Sequence, residues 1–235
     1  MAGVAERDAG RAAAVAEVKG RLDGLRRRIA EAGGDPARVT IVGVTKTFGP
    51  GVVRAAVAAG LNDLGENYAA ELGAKATAAA TEGLTPRWHF IGAVQRNKVR
   101  SVAPHVHLWH GVARAAEGVE IARWSPGAAV LVQMNISGEA TKNGVPPDDV
   151  AALVDRLREI DLDVRGLMGV AAQGATDAAR GGFRMLADVG RHLELAELSM
   201  GMTDDLEVAV QEGATMIRVG RALFGPRPSR ARLRE

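Results

Sequence analysis

Two cationic residues stand at the ends of apolar runs, where a reactive amine or an anion-binding guanidinium can be partly desolvated. Lys46 follows the run VTIVGVT at residues 39–45 and, with a period of two, shares a face with Val42 and Val44. Burial there would lower the pKa of the amine and favour the neutral form that attacks a carbonyl. The alternative is a lysine whose stem covers apolar surface while its ammonium reaches solvent at the rim.

Arg218 lies in the run TMIRV at residues 215–219 and alternates onto the same side as Met216 and Gly220. A guanidinium facing an apolar interior needs a partner. Two partners remain open at this point. One is a ligand ring nitrogen or phosphate, and the other is an ion pair with Glu66 or Asp63.

Small residues close two further runs, LSMGM at 198–202 and RVGR at 218–221. The Ser199 hydroxyl and nearby backbone N–H groups favour an anion site, with ordinary turn chemistry as the alternative. Thr203 is predicted to cap the next helix, whose first turn holds Asp204 and Asp205. Because these acids would repel a phosphate, we assign the anion to the preceding loop and to the turn after residue 219.

The elements that would position these residues alternate along the chain. An apolar stripe predicts a helix over residues 10–31, and β-rich runs then alternate with Ala-rich helical stretches. The predicted strands are 39–45, 61–64, 88–92, 106–109, 129–135, 163–169, 194–198 and 215–219. Eight such units predict a (β/α)₈ TIM barrel preceded by an N-terminal helix, with a doubly wound open sheet as the competing α/β fold. Reactive residues of such barrels lie at the carboxyl ends of the strands.

Composition narrows the class of protein. The 235 residues are 47% hydrophobic and 25% charged and contain no cysteine, which excludes disulfides and Cys-based metal sites. No apolar run is long enough for a membrane span or a secretion signal. We therefore expect one cytoplasmic domain over residues 1–235, a monomer, with flexible termini at 1–9 and 226–235.

Charge gives little support for nucleic-acid binding. The net charge of +2 is the sum of +3 in residues 226–235 and −1 in the remainder, and aromatic residues make up only 3%. A basic tail on a nearly neutral body, with few stacking groups, is weak evidence for RNA. No metal-ligand pattern includes His105, His107 and His110.

Several other polar residues are expected to have structural roles. Lys75 falls on a predicted helix, where we expect it to be solvated, and Tyr68 is expected to pack. His89 is expected to be a hydrogen-bonded barrel histidine rather than a base. Asn67 and Asn135 either contact a ligand or tie loops together, the second role being favoured for Asn135.

Seven motifs together carry a family resemblance. They are VTKT at 44–47, GENY at 65–68, WHFIGAVQRNK at 88–98, NISGE at 135–139, GLM at 166–168, LSMGMTDD at 198–205 and RVGRALFG at 218–225. In this order they resemble the pyridoxal phosphate homeostasis proteins, whose barrel is similar to the N-terminal domain of alanine racemase. The resemblance covers residues 10–225.

The resemblance implies a cofactor, pyridoxal 5′-phosphate (PLP), and a set of residues that hold it. Lys46 would form the internal aldimine, Asn67 would line the ring and Arg218 would face the pyridine nitrogen. The phosphate would be held by the remaining matched positions, Ser199, Met200, Gly220 and Arg221. Arg221 departs from the family, which commonly has Thr or another small residue there, so a guanidinium replaces a hydroxyl contact.

The implied function is to carry or buffer PLP without substrate turnover, with PLP-dependent enzymes as acceptors. The alternative is a PLP-dependent amino-acid racemase, which usually needs a base on each face of the substrate. Lys46 can serve one face, and the second base of alanine racemase is a tyrosine from another domain. Without the resemblance, a lysine and a phosphate site in a barrel would also suit a Schiff-base aldolase.

Overall fold

The computed structural model describes residues 2–139, 143–171 and 176–226. The tail predicted at 226–235 lies outside these residues, apart from Pro226. The strands are β1 (Thr40–Val44), β2 (Asp63–Glu66), β3 (Arg87–Phe90), β4 (Val106–Val112), β5 (Ala129–Gln133), β6 (Asp163–Met168), β7 (Glu197–Ser199) and β8 (Met216–Val219). The helices are α1 (Ala2–Glu31), α2 (Gly51–Ala58), α3 (Ala69–Thr81), α4 (Arg96–Val102), α5 (Ala115–Trp124), α6 (Val150–Glu159), α7 (Thr176–His192), α8 (Leu206–Gln211) and α9 (Arg221–Phe224).

The strands form a closed parallel barrel in chain order, and β1 pairs with β8 to complete it. This confirms the predicted TIM barrel over the doubly wound sheet. The helices of the βα crossovers pack on the outside of the barrel. Because the strands are parallel, each crossover returns the chain to the same end of the barrel. The carboxyl ends of all strands therefore meet at one opening.

Side chains alternate between two apolar clusters, as the period of a strand requires. Leu108, Leu131, Met168 and Met216 pack together inside the barrel. A larger cluster, which includes Ile41 and other residues of β1–β8 together with the inner faces of the helices, lies between the strands and the helices.

Helix α1 begins at Ala2, so it runs through most of the segment predicted to be a flexible terminus. Its stripe is buried at Val18, Leu22, Leu25 and Ile29, as predicted. It packs against α2, α8 and α9. Because α9 is a single turn of four residues, α1 covers the side of the barrel that a full eighth helix would cover.

Two predicted strands were misplaced. The second begins at Asp63 rather than at residue 61, and the seventh begins at Glu197 rather than at residue 194. Glu194 has a positive φ of 54°, which belongs to the turn after α7 and not to a strand. No helix in the described residues is both long and apolar enough to cross a membrane.

Candidate functional site

A cavity of about 730 Å³ opens at the carboxyl ends of the strands. Its lining comes from the segments that follow β1, β2, β3, β6, β7 and β8, which is the position expected for a barrel site. Of the predicted site residues, it brings together Lys46, Asn67, Arg218, Gly220 and Arg221.

Lys46 follows β1 directly and is half-buried at the cavity wall. The residues on both sides of it are held from outside the barrel. The Thr45 hydroxyl donates to Glu66 Oε1 at 2.6 Å, and the Thr47 N–H donates to Glu71 Oε2 at 2.8 Å. Thr47 has a φ of 69°, which is strained for a β-branched residue. The turn that presents Lys46 is thus fixed by specific contacts.

Lys75 corrects a prediction, because it is buried on α3 and not solvated. Its Nζ lies 2.5 Å from Glu66 Oε1 and donates to the carbonyl of Thr45 at 2.7 Å. Burial raises the pKa of Glu66, and the ammonium of Lys75 and the Thr45 hydroxyl act against that rise. Lys75 and Glu66 are therefore a buried pair that supports the turn before Lys46. We call Thr45, Glu66, Glu71 and Lys75 the outer cluster.

A sequence signal for Lys75 did exist. Leu72, Ala76 and Ala79 form the buried face of α3, and Lys75 lies three residues after Leu72 and four before Ala79. Helical spacing alone would have placed it on the inner face.

Arg218 points into the barrel and borders the cavity from below. Its Nη1 donates to the Ser199 carbonyl at 2.6 Å and to Ser199 Oγ at 2.7 Å, and its Nη2 donates to the Gly169 carbonyl at 2.9 Å. Burial lowers the pKa of Arg218 to about 10. The side chain is still a cation at neutral pH.

The proposed ion pair of Arg218 with Glu66 or Asp63 is wrong. Asp63 begins β2 instead of ending it, so it lies towards the opposite opening of the barrel. Glu66 faces outward to Lys75, since successive residues of a strand alternate. In the described residues, the Ser199 hydroxyl and the Ser199 and Gly169 carbonyls are the hydrogen-bond acceptors of Arg218.

Ser199 and Met200 do not line the cavity. Ser199 is fully buried, and its hydroxyl contacts Arg218 Nη1 and His110 Nδ1. The side chain of Met200 is also buried, and its N–H donates to the Met216 carbonyl in the sheet. Their side chains are therefore parts of the barrel beneath the site.

The loop after β7 differs from its prediction. Thr203 does not cap α8, which begins at Leu206 after Asp205 as its N-cap residue. Asp205 Oδ1 instead accepts from the Met202 N–H at 2.5 Å. Asp204 forms a 2.5 Å ion pair with Arg221 across the cavity rim, and both side chains are exposed. Arg221 thus offsets the carboxylate that we expected to repel a phosphate.

The structure places the two asparagines differently, one at the cavity and one within its own loop. Asn67 lines the cavity beside Lys46 and also a neighbouring cavity of about 390 Å³. Asn135 ties its own loop together, donating to the Glu139 carbonyl at 2.9 Å and accepting from the Ser137 hydroxyl at 2.9 Å. Tyr68 is largely exposed and lines the smaller of these two cavities but not the larger.

Comparison with known proteins identifies the family. The family described as "Alanine racemase, N-terminal domain" matches residues 21–228. The "Pyridoxal phosphate homeostasis protein" of Pseudomonas aeruginosa is 42% identical over 212 residues, which are 86% of this chain and 91% of that protein. The protein of the same name from Deinococcus radiodurans is 39% identical over 208 residues, covering 86% and 97%.

The chain belongs to the pyridoxal phosphate homeostasis protein family.

Solved structures show the same fold at higher and lower sequence identity. PipY of Synechococcus elongatus, in its form with PLP bound, is 31% identical and superposes with a TM-score of 0.76, covering 88% of this chain and all of that one. Lysine decarboxylase of Selenomonas ruminantium, at 16% identity and a TM-score of 0.67, covering 89% of this chain and 60% of that one, shares the fold.

Proposed function

We propose that this protein binds PLP in the cavity at the carboxyl ends of the strands and carries or buffers it without substrate turnover. The observation that carries the proposal is that Lys46 and Arg218 border one cavity, in a chain whose relative PipY has been solved with PLP bound. When bound, PLP supplies an aldehyde that condenses with amines.

The charges around the cavity suit an anionic cofactor. Its described lining contains Lys46, Arg218 and Arg221 as cations and Asp204 as the one acid, a net charge of +2. Gly220 lies between Arg218 and Arg221, and its missing side chain leaves the backbone close to Val44, whose carbonyl would lie 3.1 Å from an added Cβ. We assign the phosphate to Gly220 and Arg221, and the amine that takes up the aldehyde to Lys46.

Arg218 fits the pyridine end of the cofactor. A cation beside the ring nitrogen disfavours its protonation, and an unprotonated ring withdraws electrons less strongly from a bound amine. Asn67, on the same wall as Lys46, is assigned to the ring. This arrangement favours retention of the cofactor over chemistry on a substrate.

The cavity offers little for a second proton transfer. Its described lining contains no tyrosine, histidine or glutamate, and its aspartate, Asp204, is paired with Arg221. Tyr68, the single tyrosine of the sequence, lines the other cavity. A racemase would need a base opposite Lys46, which supports a carrier over a racemase.

Absorption spectra test the cofactor site. We expect added PLP to give a yellow band that borohydride bleaches, with mass spectrometry then locating the label on Lys46. Lys46→Ala should lose the covalent label yet retain some PLP through the phosphate contacts. Lys98→Ala, which changes an exposed lysine beside the other cavity, is the matched control and should label normally. A colourless protein, or a label on another lysine, would contradict the assignment.

An enantiomer assay tests the absence of turnover. L-alanine or L-serine incubated with the PLP-loaded protein should yield no D-enantiomer above the level of Lys46→Ala. Formation of D-amino acid that requires Lys46 would replace the carrier with the racemase.

We further propose that the protein is a cytoplasmic monomer that delivers PLP to PLP-dependent enzymes. Its exposed large apolar side chains, Tyr68, Val119, Trp124, Met185 and Met202, come from four separate regions of the chain, which is typical of an ordinary surface. Light scattering tests the monomer, cell fractionation tests the location, and reactivation of an apoenzyme by the loaded protein tests delivery.

A further inference from the structure

Beneath the cavity, polar side chains from five strands follow one another across the barrel interior. Asp63 Oδ1 lies 3.0 Å from His89 Nε2, and His89 Nδ1 lies 2.8 Å from His110 Nε2. His110 Nδ1 lies 2.9 Å from Ser199 Oγ, which accepts from Arg218 Nη1 at 2.7 Å. These five residues, the interior network, run from the opening opposite the cavity to the cavity itself.

Asp63, at one end of the network, determines which nitrogen of His89 carries a proton. Although burial disfavours its charge, hydrogen bonds from His89 and Arg87 lower the pKa of Asp63 to about 2. The ionised carboxylate can only accept, and Arg87 donates to both of its oxygens. His89 Nε2 must therefore carry a proton.

Arg218, at the other end of the network, determines where the remaining protons of Ser199, His110 and His89 lie. A guanidinium can only donate, so Ser199 Oγ accepts from it and sends its own proton to His110 Nδ1, its other neighbour in the described residues. His110 then carries its proton on Nε2 and donates to His89 Nδ1. A second proton on either ring would turn His110 Nδ1 into a donor and leave the buried Ser199 proton without an acceptor.

The environment of His110 agrees with a neutral ring. Burial is the main cause of a pKa well below the ordinary value, and the positive charge of Arg218 adds to it. When every hydrogen bond is donated in the direction from Arg218 to Asp63, each donor and acceptor in the network has a partner. The side chains between these two charges are then neutral.

We propose that His89, His110 and Ser199 are positioning residues that hold Arg218 at the floor of the cofactor cavity and keep its charge from direct neutralisation. No carboxylate contacts Arg218 within the described residues, and Asp205 acts on it only through space. The positive potential is therefore available to a ligand in the cavity. This inference rests on the proposed function, since it concerns the same site.

Nitrogen-15 NMR of histidine-labelled full-length protein, without cofactor, tests the network directly. The sequence has five histidines, and His110→Phe assigns one of the two relevant rings. We expect both His89 and His110 to be neutral and protonated on Nε2 at pH 7. A doubly protonated ring, or His110 protonated on Nδ1, would overturn the network whether or not PLP binds.

PLP binding tests its consequence for the site. Ser199→Ala removes the hydroxyl that links His110 to Arg218, and we expect a roughly tenfold weaker affinity and a shifted absorption maximum of bound PLP. His107→Gln is the control, because the His107 ring lies 5.8 Å from that of His89 but outside the network. The PLP affinity of His107→Gln should stay within about twofold of that of the wild type.

The outcomes separate this inference from the proposed function. Normal affinity and spectrum in a folded Ser199→Ala would overturn the positioning role while leaving the PLP site intact. A wild-type protein that binds no PLP would overturn the proposed function and, with it, the positioning role towards PLP. The NMR result would still decide the proton arrangement.

Discussion

Two buried polar clusters flank the cavity, and they handle charge in opposite ways. In the outer cluster, Lys75 and Glu66 are in direct contact, so their charges cancel over 2.5 Å. In the interior network, Arg218 and Asp63 are separated by three neutral side chains. The first arrangement fixes the backbone before Lys46 by placing Lys75 against the carboxylates of Glu66 and Glu71, and the second leaves a cation facing the cavity. Contact between opposite charges thus serves rigidity, and separation leaves a charge for the cofactor that we propose to bind in the cavity.

Breaking the close pair should have the largest effect. Lys75→Met would leave Glu66 buried without its counter-charge, and we expect a loss of about 3–5 kcal/mol in the free energy of unfolding. Urea denaturation measures this loss. Lys19→Met, at an exposed position of α1, is the control, and adding Glu66→Gln to Lys75→Met should recover much of the loss. A stable single variant would show that the pair does not hold this turn.

Removing the separated cation should act on the ligand more than on the fold. Arg218→Gln keeps a polar amide at this position but removes the charge, and we expect PLP affinity to fall by about 1.5–3 kcal/mol. Titration followed by absorbance measures it. Arg218→Glu is less suitable, because its carboxylate would face two carbonyl oxygens. Unchanged affinity in Arg218→Gln would mean that the charge serves packing alone.

The neutral middle of the network predicts a dependence of stability on pH. Because the pKa of His110 is lowered in the fold, the unfolded chain binds a proton first as the pH falls below about 6.5. Stability should then decrease with falling pH, by up to about 1.4 kcal/mol per pH unit for one histidine.

Thermal denaturation between pH 7.5 and 5 measures this slope, and His110→Phe should flatten it. His107 has a lowered pKa as well, so His107→Gln shows its separate share. The raised pKa of Glu66 acts in the opposite sense above pH 4.5, which makes the difference between variants more informative than either curve. Parallel curves for the wild type and His110→Phe would count against a neutral His110.

The smallest effect is expected at the rim. Arg221→Thr restores the small residue that the family commonly has there and breaks an exposed pair with Asp204. We expect a change below about 1 kcal/mol in PLP affinity, because exposed ion pairs are weak. The same titration measures it. A larger loss would indicate that the guanidinium leaves Asp204 to contact the phosphate.

The sequence predicts the barrel and the residues at its mouth because both follow from local patterns. Alternation along each strand placed Lys46 and Arg218 on inner faces, and the structure puts both at one cavity. It could not reveal that His89 and His110 meet, since this depends on the register between β3 and β4, which shifts at a bulge near Trp88. Nor does the sequence show that the Ser199 hydroxyl accepts a hydrogen bond from Arg218, because that depends on the register between β7 and β8.

The order in which the barrel can close follows from helix α1. Its apolar stripe is covered by α8 and α9 as well as α2, and Arg21 bonds the carbonyl of Leu223, 202 residues away in sequence. Because synthesis proceeds from the amino end, α1 must therefore wait for β8 and α9 before its Leu22 and Leu25 are fully shielded. Until then this stripe is exposed on the nascent chain, where chaperones recognise apolar segments. Final closure of the barrel is thus tied to the synthesis of β8 and α9.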